Sequence, residues 1–379
     1  MLGLRPTVAE PAGLVDEPLT ALDACRAVET VLGHVLDAGL DRARGVDPVF
    51  ALDVAGRVAA FVRRGGKRLR SAFAWCGWRA VGGSGDATAV VHTGAALELL
   101  QACALIHDDV MDGSLLRRGA PAMHVDLARM HWAARMTGSA ESFGTSAAVL
   151  AGDLALAWAD DLLTETALGS PHGPRLYREW QAMRGEMVAG QYRDLHAQAS
   201  GSSGVDEALT IATLKSALYT VERPLALGAS LAAAGPSLDA LRAAGRCAGL
   251  AFQLRDDLLG AFGDPASTGK PVGDDLGSRK LTYLLAVALE LADASGDKEA
   301  AAVLAPSAGP RPEHTVEHMR RALERTGSRA VVESKIVELA TTSLGHFEAT
   351  GAEPAVRREF AALVERASCV TPLRTQGDM

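Results

Sequence analysis

Three aspartates, Asp108, Asp109 and Asp112, share one turn in the stretch LIHDDVMDGSLLRRG, residues 105–119. On a helix, residues i and i+4 stand on one face and i+1 lies about 100° round, so Asp108 and Asp112 point together with Asp109 alongside. The preceding run, LELLQACALI, is apolar and brings the acids to the edge of a core. Like charges in such a place are costly without a cation. Hard carboxylate oxygens suit Mg²⁺, which takes one or two carboxylates and completes its shell with water and phosphate oxygens. One such cluster alone reads equally well as a solvated helix end. The echo of HDDVMD (107–112) in RDDLLG (255–260), with Asp256 and Asp257, weighs against that reading.

Basic residues supply the other half of a phosphate chemistry. GGKRLR (65–70) presents Lys67 and Arg70 after two glycines that let backbone approach an anion closely. Arg117 and Arg118 follow the first acid cluster, and Lys270 and Lys280 follow the second. Bases and acids alternate along the chain. Together they describe a site for two polyanions, one held through Mg²⁺ and one directly by Arg and Lys.

The elements that position these groups are helices. The 379 residues are 48% hydrophobic and only 4% aromatic, rich in Ala and Leu and poor in β-branched alternation. Helical periodicity runs through the chain, broken where Gly, Pro and Ser collect at 81–86, 168–174, 198–206, 262–273 and 305–312. No break is long enough for an interdomain linker. The predicted architecture is all-α, a single large helical bundle over 21–370 with a central substrate cavity. Residues 1–20 and 371–379 are expected to be flexible tails, and the two acid clusters are expected to face each other across the bundle mouth.

The net charge of -8, without a basic aromatic-studded stripe, argues against nucleic acid as a partner. The five cysteines show no CxxC spacing, which fits free thiols in a reducing cytoplasm. The N-terminal stretch lacks the layout of a signal peptide. No uninterrupted apolar run approaches the length of a membrane span, AAVLAGDLALAWA being broken by Asp153. A soluble cytoplasmic protein is expected.

The motifs resemble those of the trans-type isoprenyl diphosphate synthases, the polyprenyl synthetase family, and most of all the bacterial geranylgeranyl diphosphate synthases. GGKRLR, LIHDDVMD followed by RRGAPAMH, AGDLAL, GQYRDL, the LKS of 214–216, FQLRDD and GDPASTGKPVGDDLGSRKLT carry the resemblance, over roughly residues 60–285. It implies an isoprenoid synthase fold, usually homodimeric, that condenses isopentenyl diphosphate with an allylic diphosphate and holds three Mg²⁺ ions in the substrate complex. Asp108, Asp109 and Asp112 would bind Mg²⁺ from one wall, and Asp256, supported by Asp257, from the other. Arg117, Lys215 and Lys270 would contact the allylic diphosphate, and Lys280 lies with this basic set. Lys67, Arg70, Gln101 and Arg118 would bind isopentenyl diphosphate. Phe252 and Gln253 would line the substrates, and Gln253 with the backbone near Lys215 and Ser216 would face the developing cation.

Product length is expected to follow from the residues below the first acids. In the resembling family, bulky aromatics four and five residues before the first aspartate stop growth at fifteen carbons. Here those positions are Ala104 and Cys103, both small, with Leu100 and Leu99 next below. A twenty-carbon product, geranylgeranyl diphosphate, is expected, with farnesyl or longer chains as alternatives. One departure stands out: the second motif usually ends in a third aspartate, and here that place is Gly260, with Asp264 one turn on. That invites comparison with class I terpene cyclases, whose Asn/Asp, Ser/Thr, Glu triad has the spacing of Asp256, Gly260 and Asp264. The chain contains no asparagine, and a cyclase has no use for the isopentenyl set. A non-catalytic partner subunit would typically lack the first-motif aspartates, which are all present.

Overall fold

The computed structural model describes residues 18–232, 238–263, 274–278, 280–305 and 313–370, and its architecture is a helical bundle. The predicted all-α class holds. Among the described residues the single departure is a two-residue antiparallel ladder, Leu116–Arg117 with Ala120–Pro121. Helix Ala21–Val46 starts in a capping box, Thr20 Oγ1 accepting from the Asp23 amide while Asp23 reaches back to the Thr20 backbone. Helices Leu69–Ala80, Thr88–Asp112, Ala140–Gly169 and Gly173–Ser200 follow, and then a nearly continuous helical run from Val205 to Ser230. Within that run Thr213–Glu222 is wound in wide π-turns. Helix Asp239–Phe262 then returns, and Tyr283–Ser295, Lys298–Leu304, Glu313–Arg325, Ser328–Glu348 and Pro354–Ser368 complete the bundle. The Thr88–Asp112 helix is called here the first acidic helix and Asp239–Phe262 the second.

Two apolar clusters form the interior, and the second acidic helix joins them. Its lower part, Leu241, Ala244 and Ala248, packs in the main core around Leu97, Leu99, Leu100 and Trp75. Its upper part, Ala251, Leu254, Leu258 and Ala261, packs with Leu284, Val287 and Ile336 of the later helices. The C-terminal helices are fixed to the core by aromatic contacts. Phe347 and Phe360 stack at 3.8 Å, and Phe73 meets Phe360 edge-on at 6.0 Å.

Two helices, Thr88–Asp112 and Ala140–Gly169, are long and apolar enough to cross a membrane, whereas the sequence reading expected none. Asp153 lies within the second of them without shortening it, because a single charge does not interrupt a thirty-residue helix. In the first, 72% of the most apolar stretch is buried, so its hydrophobicity is that of a core helix. In the second only 44% is buried, and Phe143, Val149 and Leu150 are among its exposed apolar side chains.

Small residues bring backbones into contact where aromatics are scarce. A Cβ on Gly77 would lie 2.0 Å from Leu225 O, and one on Gly228 would lie 1.8 Å from Ala74 O. Helices Leu69–Ala80 and Arg223–Ser230 therefore cross backbone to backbone. Neither carbonyl is the end of a flexible side chain, so the helices must part to admit a methyl group. Gly228→Ala is expected to destabilise the fold by about 2 kcal/mol or more, measured by chemical denaturation, whereas Gly33→Ala, where a Cβ meets nothing within 4 Å, should not.

Candidate active site

The first acidic helix ends on its own acids. Gly113 takes a left-handed conformation (φ 65°) and its amide bonds back to Asp109 and Val110, stopping the helix directly after Asp112. All three aspartates thus lie in the last turns, where the free carbonyls add partial negative charge. Each meets a cation from a different part of the chain. Lys215 Nζ lies 3.1 Å from Asp108 Oδ1, and Lys280 Nζ lies 2.6 Å from Asp112 Oδ2. Arg117 Nε donates to Asp109 Oδ1 at 2.8 Å, and its Nη2 donates to Asp109 and, at 3.2 Å, to Asp108.

These charges split the carboxyls. Burial alone would raise Asp108, but the charges of Lys215, Lys280 and Arg117 outweigh it and hold this carboxyl well below the usual range. Asp112 moves the other way, raised by burial and then by the charge of Asp108, with Lys280 and Lys215 only partly offsetting both. Of these two, Asp112 is therefore the readier to take up a proton. Burial pulls Lys215 down, yet Asp108 and Asp194 together lift it above an ordinary lysine, so it stays charged.

The RRGAP segment forms a tight hairpin with Arg118 (φ 54°) and Gly119 (φ 72°) at its tip. Positive φ at both central residues is what a two-residue turn of this hand requires. The turn sends consecutive arginines to opposite sides. Arg117 is buried and faces the acids, while Arg118 donates to Gly65 O and lies 5.7 Å over the Phe61 ring. Arg118 thus leaves the acidic cluster and joins the glycine-rich loop.

Lys215 is placed by the wide-turned stretch. A Cβ on Gly190 would lie 2.3 Å from Lys215 N, and one on Gly249 would lie 2.3 Å from Ala217 O. Helices on both sides therefore press directly on this backbone. Lys215 Nζ also donates to Asp194 Oδ2 at 2.6 Å, and Asp194 is buried. The adjacent Ser216 is half-buried. On the second acidic helix Asp256 is exposed, whereas Asp257 is buried and accepts from Gln253 Nε2 at 2.8 Å. Phe252 is half-buried against the core, and Gly260 is half-buried one turn beyond Asp256. Lys270 and Asp264 lie outside the described residues.

The second basic group gathers Lys67, Arg70, Gln101 and Arg118. Lys67 is exposed, and its carbonyl accepts from Arg366 at 2.5 Å. Arg70 lies 4.2 Å over the Tyr219 ring and donates through Nη2 to Thr220 Oγ1 at 2.9 Å, while its buried Nε has no hydrogen-bond partner. The Tyr219 hydroxyl donates to Gln101 Oε1 at 2.8 Å. With its oxygen so used, the amide NH₂ of Gln101 is left as a donor.

Below the acids, the structure separates the two small residues expected to set depth. Cys103 lies 3.7 Å from His107 Nδ1, and His107 Nε2 meets Val149 O at 3.1 Å, in space kept open by Gly152. Cys103 thus belongs to the stripe packed on the Ala140–Gly169 helix. Ala104 sits under Asp108 on the i, i+4 stripe that faces Lys215 and is only half-buried, with Leu100 fully buried one turn lower. Leu99 is also fully buried, below Cys103.

Among the described residues, no three His, Cys, Asp or Glu side chains converge into a cage that could hold a metal. What the site offers is Asp108 and Asp112 on one helix face, at a negative helix end. That suits a hard cation bringing most of its oxygens from water and phosphate. Three residues outside the sequence-based site set prove important: Asp194, Tyr219 and Glu98. Asp194 was in view as part of GQYRDL, and its spacing from Gln191 was the available signal. Nothing in the spacing of Tyr219 or Glu98 marked either.

An all-helical bundle with aspartate clusters at helix ends and two basic groups is the isoprenoid synthase fold. The polyprenyl synthetase family model matches residues 54–324, and the chain belongs to that family. It is 38% identical to a geranylgeranyl pyrophosphate synthase of Corynebacterium glutamicum, solved with isoprenyl diphosphate and magnesium. That structure superposes with a TM-score of 0.87 over 92% of this chain and 99% of the other. The geranylgeranyl diphosphate synthase of Mycobacterium tuberculosis is 37% identical over 245 residues, which is 64% of this chain and 64%, just under two thirds, of that relative. A geranylfarnesyl diphosphate synthase of Aeropyrum pernix is 30% identical over 259 residues, covering 67% of this chain and 75% of that one.

Asp194→Asn tests how Lys215 is held. The variant keeps shape but removes the shorter of two ion pairs on a largely enclosed ammonium, so it should cost about 1–3 kcal/mol in denaturant unfolding. Stability equal to the parent would show that Asp108 alone holds Lys215.

Proposed function

We propose that the protein is a prenyltransferase that joins isopentenyl diphosphate to an allylic diphosphate, with geranylgeranyl diphosphate as its main product. One observation carries the reading: each aspartate of one helix end is met by a cation from a separate element, Lys215, Lys280 or Arg117. Such a ring of alternating charges suits a metal-bridged diphosphate better than a purely structural pair, because a structural pair needs neither three acids nor three sources of cation. Family membership and the C. glutamicum neighbour's bound isoprenyl diphosphate and magnesium support it.

In this reading Asp108, Asp109 and Asp112, together with Asp256 supported by Asp257, would hold Mg²⁺, three ions in the full substrate complex. Bound Mg²⁺ supplies Lewis-acid stabilisation of the negative charge on the leaving diphosphate. Lys215, Arg117 and Lys280 would surround the same group with fixed positive charge, and Lys270, outside the described residues, would join them as the resemblance implies. The allylic carbon–oxygen bond breaks with its electron pair going to diphosphate, leaving an allylic cation. The alkene of isopentenyl diphosphate, held by Lys67, Arg70, Gln101 and Arg118, attacks that cation and forms the new carbon–carbon bond. The released diphosphate takes the proton that is lost. Gln253 and the backbone at Lys215 and Ser216 face the cation, and Phe252 lines the dry wall that keeps water from it. A homodimer suits the exposed Trp132, Phe143, Val149, Leu150 and Tyr192, an apolar set otherwise left to solvent.

Incubation with isopentenyl diphosphate, Mg²⁺ and each allylic primer in turn, followed by product analysis, tests the reaction class. Unconsumed isopentenyl diphosphate alongside a cyclised product would favour a cyclase instead. Asp108→Asn should lower turnover by at least about two orders of magnitude while the fold survives, and near-normal turnover at ordinary Mg²⁺ would refute the assignment.

The tail must run down from Asp108, each helical turn of about 5.4 Å matching roughly one extended prenyl unit. Because Ala104 shares the Asp108 stripe and Cys103 does not, their substitutions should differ. Ala104→Phe should shorten the product to fifteen carbons. Cys103→Phe should chiefly destabilise the fold, by about 1–3 kcal/mol. Chromatography of the products beside thermal melts would separate the two, and an unchanged product from Ala104→Phe would place the floor elsewhere.

A further inference from the structure

The residues of the second basic group come from different elements, and something must fix their spacing. Lys67 and Arg70 sit at the start of helix Leu69–Ala80, while Gln101 is on the first acidic helix. Between Lys67 and Arg70, Arg68 takes a left-handed conformation (φ 49°), uncommon for a residue with a side chain. That twist turns Arg68 away from its neighbours and into the bundle, where only 7% of the side chain is exposed. Its Nη1 donates to Glu98 Oε2 at 2.6 Å, and its Nε donates to Glu29 Oε1 at 2.6 Å. Glu98, 5% exposed, lies one turn before Gln101 on the first acidic helix, and its second oxygen is 3.1 Å from Ser71 Oγ. Both ends of the pair therefore adjoin residues of the basic group.

We propose that the buried Arg68–Glu98 pair is a positioning device that holds Lys67, Arg70 and Gln101 at the spacing one isopentenyl diphosphate requires, an inference that rests on the prenyltransferase reading. Stability alone is a poor reason for such a pair, since burying two charges costs about as much as their attraction returns. Register is the better reason. The pair ties the loop that carries two cations to the helix turn that carries the amide, with no contact to the allylic site around Asp108. Arg118 and Arg366 grip the same loop from outside through the carbonyls of Gly65 and Lys67, so Arg68 is its inner anchor.

Steady-state kinetics with each substrate varied separately tests the device. Glu98→Gln keeps the shape and one hydrogen-bonding oxygen but removes the charge that orients Arg68. It should raise KM for isopentenyl diphosphate at least tenfold, with KM for the allylic substrate within twofold and kcat within threefold. Glu29→Gln, at the half-exposed outer end of the network, leaves no buried charge unpaired and should raise the same KM to a smaller degree. It decides the matter if Glu98→Gln does not fold. Equal rises in both KM values, or a lowered Tm with both KM values unchanged, would make the pair merely structural and overturn the proposal. A parent enzyme that consumes no isopentenyl diphosphate would instead overturn the prenyltransferase reading itself.

Discussion

Negative charge gathered at the C-terminal end of a buried helix is the constraint on which the site depends. The last turn of any helix already carries uncompensated carbonyls, and an acid placed there is opposed by the dipole. The first acidic helix places three there and lets Gly113 end it immediately afterwards. Such a turn survives only with cations at hand, and the chain sends them from three directions. Arg117 comes from the hairpin, Lys215 from the wide-turned helix, and Lys280 from the segment beyond the second acidic helix. The walls are thereby drawn together around the acids, so the electrostatic requirement also shapes the bundle mouth.

Helical character, the breaks at 81–86, 168–174 and 198–206 and the two acid clusters were legible in the sequence, because periodicity and local composition report them directly, while the breaks expected at 262–273 and 305–312 lie largely outside the described residues. The alternation of basic and acidic motifs announced a site of mixed charge but not which charges would meet: that Arg117, Lys215 and Lys280 all reach the first cluster had no sign in it. Other features depend on contacts far apart in sequence and had no local sign. The opposite directions of Arg117 and Arg118 follow from two positive φ angles at a turn. The separation of Cys103 from Ala104 follows from which neighbouring helix each stripe faces. Glu98 looked like one more charge in an apolar run, and the inward turn of Arg68, thirty residues earlier, is what neutralises it.

The scarcity of aromatic residues acquires a structural reason. Wide helices studded with large rings cannot approach closely, whereas Gly77, Gly190, Gly228 and Gly249 each bring a neighbouring backbone within a distance that a methyl group would forbid. Two of these contacts fall on either side of the wide-turned stretch. Its backbone is therefore wedged between the Gly173–Ser200 helix and the second acidic helix, and Lys215 projects from a fixed base. A flexible four-carbon side chain becomes a defined point charge only because its backbone and its far end are both held, the latter by Asp194.

The lower end of the same stretch is held by charge as well. Glu222 is almost completely buried, and Arg242 and Arg246 of the second acidic helix both reach it. Arg223, the next residue, pairs with Glu179 and Glu186 of the Gly173–Ser200 helix, and Arg242 also pairs with Glu179. These pairs join three helices about two turns below Lys215, in a place with no role for a diphosphate. Any one of them adds little to stability, since burial offsets most of what attraction contributes. Their joint effect is on register. A one-residue slip of the wide-turned helix would swing Lys215 away from Asp108 and Tyr219 away from Gln101. With Glu222 tied to two arginines and Arg223 to two glutamates, that slip breaks several contacts together. The charges around Glu222 and Arg223 keep Lys215 in place.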